Sequence, residues 1–270
     1  MIATFAANVP AWRELIRANI RYHFVYRFNV FMGILLAAVT IYLLTVVWTS
    51  AYGDRTEVDG IPLKWMLVYL TIGNLQAWYL RPEIGHDIVA RVREGQIGFD
   101  ISRPVAYPGQ LIASAAGDLL GMLPMMVAAI PVAAILGELA LPPTWQSGVG
   151  YLVSFLIAWF IAVELAMIIG LVAFWTLEMT GFMMVYNLVG GFATGALVPL
   201  WFMPDFLRQV VQVLPFQSIV YVPVSIYIGI PATGGILTAL ALQVFWAVVL
   251  VGVIRIMWSR ALHRTVIQGG

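Results

Sequence analysis

From Phe28 to Trp48 the chain runs for twenty-one residues without a charged side chain. A helix rises about 1.5 Å per residue, so a run of about 20 apolar residues bridges the roughly 30 Å hydrocarbon layer of a bilayer. Five further segments approach the same pattern. These are 63–80, which includes Asn74 and Gln76; 111–137, with Asp118, Pro124 and Pro131; and 149–175, interrupted by Glu164. The last two are 181–200, loosened by Gly181, Gly190, Gly191 and Gly195, and 234–257, ending at Arg255. Composition agrees: 62% of residues are hydrophobic and 10% charged, against about 45–50% and about 25% in soluble domains. The sequence therefore predicts an all-α polytopic membrane protein with six transmembrane helices, occupying 1–270 as one domain with no room for a soluble catalytic unit.

Basic residues set the orientation of such a chain. Arg13, Arg17, Arg21 and Arg27 precede the first span, and Arg81, Arg91, Arg93 and Arg103 lie between the second and third. Arg255, Arg260 and Arg264 close the sixth, so eleven of the fourteen basic residues share one side if there are six spans. Both termini are then cytoplasmic, and the expected location is the cell membrane, a bacterial plasma membrane. The first apolar run is too long for the core of a cleavable signal peptide. Ahead of it, in 8–27, Trp12, Leu15, Ile16, Ile20 and Phe24 recur at helical spacing while Arg13, Arg17 and Arg21 form a separate stripe. That pattern predicts an amphipathic helix in the membrane interface, its arginines meeting lipid headgroups; a continuation of the first span into the cytosol is the alternative.

Several chemistries lack their residues. A net charge of +1 argues against nucleic acid as a partner. Zero cysteines remove disulfides and thiolate metal sites. The single lysine, Lys64, follows Ile61-Pro62-Leu63 and not a glycine-rich phosphate loop. His23, His86 and His263 form no H-E-x-x-H, no G-x-S-x-G is present, and Ala115 stands where an intramembrane aspartyl protease would need glycine before Asp118. No catalytic residue, metal ligand or resident cofactor is expected.

The stretch 81–110 gathers eight of the 27 charged residues into thirty positions. Ile84, Ile88 and Val92 recur every four residues, Asp87 and Arg91 form an i,i+4 opposite-charge pair, and Gly95 is a natural helix stop. Beyond it Ile97, Phe99 and Ile101 alternate with Gly98, Asp100 and Ser102, before Arg103-Pro104. A short amphipathic helix on such a tether suits docking into a groove of a soluble partner, or is a solvated connector on the headgroups.

This layout resembles the permease subunits of ABC transporters of the type-2 exporter class. Glu94-Gly95-Gln96-Ile97 followed by Ile101-Ser102-Arg103-Pro104 is similar to a Gly…Leu-x-Arg-Pro pattern of that class, with Ile101 in place of leucine. The resemblance implies a coupling helix in 83–93 that contacts a separate ATPase subunit, with Glu83, Asp87, Arg91, Arg93, Glu94, Gly95, Arg103 and Pro104 as the coupling residues. It also implies ATP and Mg on that partner and not on this chain, and a second permease subunit, identical or, by slight preference, non-identical.

Between the fifth and sixth spans, 204–215 places Phe206, Leu207, Val210, Val211 and Leu214 on one face and Arg208, Gln209 and Gln212 on the other. Pro204 and Pro215 bracket the stretch, and Pro223 and Pro231 break the apolar residues beyond it. This predicts an outer interfacial helix and a broken apolar segment dipping into the bilayer; the family has a re-entrant hairpin at this place, assigned here to 204–230. A seventh span over 216–233 would move the C-terminal arginines outside.

Charges within spans need a reason. Glu164 lies midway along the fourth span, as a structural polar contact or as a transport-path or proton-handling group. Glu178 falls at that span's cytosolic end, and Asp118 is placed to pair with an arginine. Gly117-x-x-x-Gly121 and Gly191-x-x-x-Gly195 permit close helix approach. Tryptophans near span ends fit interfacial anchoring. The resemblance thus implies an ATP-driven export permease. An ion-gradient-driven transporter and a non-transporting scaffold are the alternatives.

Overall fold

The computed structural model describes residues 2–103, 105–176, 179–231 and 234–268, almost entirely as helices. Helix α1 (Ile2–Val25) is separated from α2 (Arg27–Tyr52) by a break at Tyr26. A small hairpin comes next, β1 (Glu57–Val58) against β2 (Ile61–Pro62), with Val58 opposite Ile61. Its two-residue turn needs positive φ at both positions, supplied by Asp59 at 52° and Gly60 at 78°. Then come α3 (Leu63–Tyr79), α4 (Ile84–Arg93), α5 (Ile97–Ile101) and α6 (Tyr107–Leu136). Helix α7 (Trp145–Leu171) starts at Thr144, whose hydroxyl accepts from the Ser147 amide as an N-cap, and it tightens at its end into a 3₁₀ turn, Val172–Phe174. The remainder is α8 (Thr180–Ala193), a 3₁₀ turn at Leu200–Phe202, α9 (Asp205–Gln212), a 3₁₀ turn at Pro215–Ser218, α10 (Tyr221–Tyr227) and α11 (Ile236–Gln268).

Among the described residues four segments are long and apolar enough to cross a membrane: Phe31–Tyr52, Tyr107–Leu136, Trp145–Phe174 and Ile236–Arg264. The predicted second span, 63–80, is the 17-residue α3. The predicted fifth, 181–200, is helical only to Ala193, because Gly195 adopts φ 80° and Pro199 lies just beyond. Asp205–Gln212 and Pro215–Tyr227 make a pair bent by 75°. Phe202, just before it, meets the rings of Trp48 and Tyr52 at the end of α2. The Tyr227 hydroxyl at its far end donates to the Ala140 carbonyl in the α6–α7 connection. By length and composition this bent pair fits a broken span or a re-entrant loop, and α10 by itself is seven residues, about 10 Å long.

Helix α3 is the buried centre, with Met66, Val68, Tyr69 and Leu70 fully enclosed and α2, α6 and α10 packed around it. Helices α2 and α8 are the opposite case, exposing Phe28, Phe31, Leu36 and Leu43 on one and Phe182, Met184 and Leu188 on the other. Such faces are what a hydrocarbon solvent or another apolar subunit would cover.

Helix α1 begins earlier than the predicted 8–27 and lies along α6. The Gly117-x-x-x-Gly121 pair makes this possible. A Cβ added at Gly117 would sit 2.7 Å from both the Ile16 carbonyl oxygen and Asn19 Cβ, and one at Gly121 would sit 3.1 Å from Ile20 Cα. Asn19 Nδ2 donates to Ser114 Oγ at 3.0 Å across the same seam. Gly191, by contrast, has nothing within 4 Å and Gly195 lies beyond the helix, so the second glycine pair packs no helix among the described residues of this chain.

Candidate coupling and transport site

Helix α4 turns Ile84, Gly85, Ile88 and Val89 inward and leaves Glu83, His86, Asp87, Arg93 and Glu94 exposed. The four-residue apolar repeat therefore faces the protein. It packs on the C-terminal end of α7, where Gly85 and Gly170 bring the backbones together: a Cβ at Gly170 would lie 3.1 Å from Gly85 Cα. The helix stops at Gly95, whose φ of 71° leaves the α-region.

The alternating stretch after Gly95 folds as the single-turn helix α5. Its anchor is Asp100, only 3% exposed at its side chain, which receives Arg91 at 2.8 Å and Arg103 at 3.2 Å. Gln110, opening α6, donates to the carbonyls of Asp100 and Val105 at 2.8 Å each and accepts from Arg103 at 3.1 Å. Arg91 thus bonds Asp100 in place of the expected i,i+4 partner Asp87. A buried carboxylate gains more from a charged donor than an exposed one does. Pro104 and Glu178 lie outside the described residues. The clamp leaves Phe99 pointing outward, 76% exposed at the tip of the segment. By sequence Asp100 and Phe99 are only members of an alternating stretch and not coupling residues, since a five-residue window cannot separate a two-residue period from one helical turn.

Two cavities meet the start of α4. One, of about 250 Å³, is lined by Asn19, His23, Arg81, Asp87, Asp118 and Trp159 among others. Asp118 pairs there with His23 of α1, Nε2 to Oδ1 3.0 Å, and not with an arginine as expected. The close α1–α6 packing puts His23 within reach, while the α1 arginines Arg13, Arg17 and Arg21 face away and Trp12 is half-buried against Gly109. Asp87 is open to solvent on one side, but partial loss of hydration on the side facing this cavity raises its carboxyl above the usual carboxylate range; Asp118 adds to the effect and Arg91 opposes it. A carboxyl that binds its proton more tightly in the folded protein disfavours folding once ionised, and this penalty fades as pH falls through the raised value. Asp87→Asn is therefore expected to keep or raise thermal stability at neutral pH and to flatten its rise on mild acidification. A melting series from pH 4 to 8 checks this, and a clear loss of stability at pH 7 would contradict it.

The second cavity, about 350 Å³, rises from Arg81, Glu83 and His86 past Asn74 and Tyr186 to Ile219 and Val220. It is walled by α2, α3, α7 and α8, and the outward faces of α2 and α8 remain uncovered. Glu164 lines neither cavity. It is 1% exposed, and neither carboxylate oxygen has a hydrogen-bond partner among the described residues. On α9 and just beyond it, the protein covers only part of the apolar face. Val211 is buried and Leu207 and Leu214 half-buried, but Phe206 and Val210 are exposed, and Arg208 pairs with Asp205.

The geometry also shows polar residues that hydropathy treats as blemishes. Asn74, Gln76, Ser154 and Gln243 are all buried and hydrogen-bonded. A family model described as ABC-2 family transporter protein matches residues 34–269. No curated protein matches the chain.

Proposed function

Because the chain belongs to the ABC-2 family of transporter proteins, and is thus a multi-pass membrane component of transport, we propose that it is the permease subunit of an ATP-driven exporter. In this reading α2, α3, α6, α7, α8 with its irregular continuation, and α11 are six spans with both termini cytosolic. Helix α1 lies along the first half of α6 at the inner side, and 204–230 is re-entrant from outside. The 350 Å³ cavity is the substrate path, closed on its open side by a second permease docked across α2 and α8. The ATPase partner brings ATP and Mg²⁺ and takes hold of α4 and α5.

The observation that carries the proposal is the position of α4. A charged helix is seated on the inner end of α7 at the mouth of a cavity that climbs to the bent segment. Movement imposed on α4 would reach the walls of that path directly. A gradient-driven transporter is the second reading, favoured by the partnerless Glu164 carboxylate.

The test is purification of the tagged permease from native membranes with the ABC ATPase that accompanies it, then reconstitution into liposomes. Stoichiometric ATPase recovery is expected, reduced by the exposed-site double variant Glu83→Lys/Glu94→Lys, with transport that depends on ATP and ignores an imposed pH gradient. Recovery of the permease alone, with transport that depends on the pH gradient, would replace this reading with the second.

A further inference from the structure

The bent segment 205–227 is suspended by side chains from two helices. Gln76 Nε2 of α3 donates to the Ile219 carbonyl at 2.6 Å. Gln243 Nε2 of α11 donates to the neighbouring Ser218 carbonyl at 2.8 Å, while its Oε1 accepts from Ser154 of α7 at 2.7 Å. Gln76, Gln243, Ser154 and Ser218 are fully enclosed. Non-helical backbone at this depth has no water to satisfy it, so these amides are the partners that let the chain bend there.

Helix α3 holds the rest of the same irregular region. Tyr69 Oη donates to the Gly195 carbonyl at 2.9 Å and Asn74 Nδ2 to the Ala196 carbonyl at 3.1 Å. The Tyr221 amide, just past the bend, donates to the Thr194 carbonyl at 3.0 Å. Gly73 lets the bend come close, since a Cβ there would lie 3.3 Å from Val220 Cγ1. Eight residues beyond Gln76 the same chain begins α4 at Ile84. Helix α3, which ends at Tyr79, and the short connection 80–83 therefore join α4 to the bend.

Gln76 is also an uneconomical choice for packing alone. Its Oε1 is buried without a partner among the described residues, a cost that a purely structural position avoids. We propose that Gln76 is the positioning residue that transmits movement of α4 to the bent segment: α3 shifts as a rod and carries the Ser218–Val220 bend through the Gln76–Ile219 bond. The assignment rests on the permease reading above.

The chain has no cysteine, so one introduced at exposed Gln209 of α9 reports on the outer segment. In the reconstituted permease–ATPase complex, its labelling by a membrane-impermeant maleimide is compared with and without ATP and vanadate. Gln76→Met is expected to keep ATPase association and hydrolysis within twofold while shrinking the nucleotide-dependent change in labelling at least fivefold. Gln76→Glu restores a donor only when protonated, so its response, relative to the Gln76 parent at each pH, should recover as pH falls. A Gln76→Met response within twofold of the parent overturns the assignment. If that variant does not fold, a pH-independent Gln76→Glu response overturns it instead. If the parent complex itself shows no nucleotide-dependent change, the permease reading falls and the assignment falls with it.

Discussion

Phe99→Asp is expected to weaken ATPase binding by more than tenfold while leaving the melting temperature of the isolated permease unchanged. Phe99 is 76% exposed at the tip of the charged segment, flanked by exposed Gln96 and Gly98. An exposed aromatic contributes little to the fold that displays it, and such substitutions stay within about 0.5 kcal/mol. Buried in a partner, the same ring is worth roughly 1.5–3 kcal/mol of apolar transfer. An aspartate in its place adds the cost of an unpaired charge in the contact. Central aromatics of this kind are often hot spots worth about 2 kcal/mol or more, and about 1.4 kcal/mol is already tenfold in affinity. The clamp on Asp100 makes the large effect credible, because α5 is held by Arg91, Arg103 and Gln110 before any partner arrives. Titrating the purified ATPase against both permease forms measures it. An unchanged dissociation constant would remove α5 from the interface and leave Phe99 as a headgroup contact.

Gly170→Leu should separate motor from path. At this position a first side-chain carbon would already lie 2.7 Å from Ile88 Cδ1, 2.9 Å from Ile88 Cβ and 3.1 Å from Gly85 Cα. On the other side of the crossing, a Cβ at Gly85 would meet the Ala166 carbonyl oxygen at 3.1 Å. With backbone on both sides, no rotamer change makes room and α4 must move off α7. Overpacking of this kind costs about 1–3 kcal/mol, so a lower melting temperature is expected. The exposed face of α4 is untouched, so ATPase binding should survive within a few-fold while ATP-driven transport falls by more than tenfold. Gly170→Ala should show the same separation in milder form. Transport and binding falling together, or neither changing, would contradict a coupling role for this crossing.

How much of this was legible depends on the range over which each signal acts. The run from Phe28 to Trp48 needs only its neighbours to be apolar, and it became α2. Gly95 ends α4 because a local φ of 71° suits a residue without a Cβ. Helix α8 ends at Ala193, short of 200, and α1 begins before residue 8, because helix termini depend on tertiary bonds such as that of Tyr69 to the distant Gly195. The second span looked weak for a reason visible only in three dimensions. Asn74 and Gln76 lower its hydropathy, and both are bonded to carbonyls more than a hundred residues away.

Charge shows the same division. Asp87 and Arg91 stand one helical turn apart, but Arg91 turns to the buried Asp100. Asp118 takes His23, which no spacing rule connects to it. The Gly117–Gly121 pattern announced a close approach without naming the partner, and only the fold identifies it as α1.

By itself the sequence determined the solvent of this protein, its helical class and the concentration of charge in one segment, because hydropathy and net charge are sums over nearby residues. Tertiary structure alone decided which polar atoms meet and which backbones touch: Gln76 with the bend, Asp100 with its arginines, Gly85 with Gly170. Each is a contact of a few ångströms whose energy depends on distance and direction, quantities that a linear pattern does not contain.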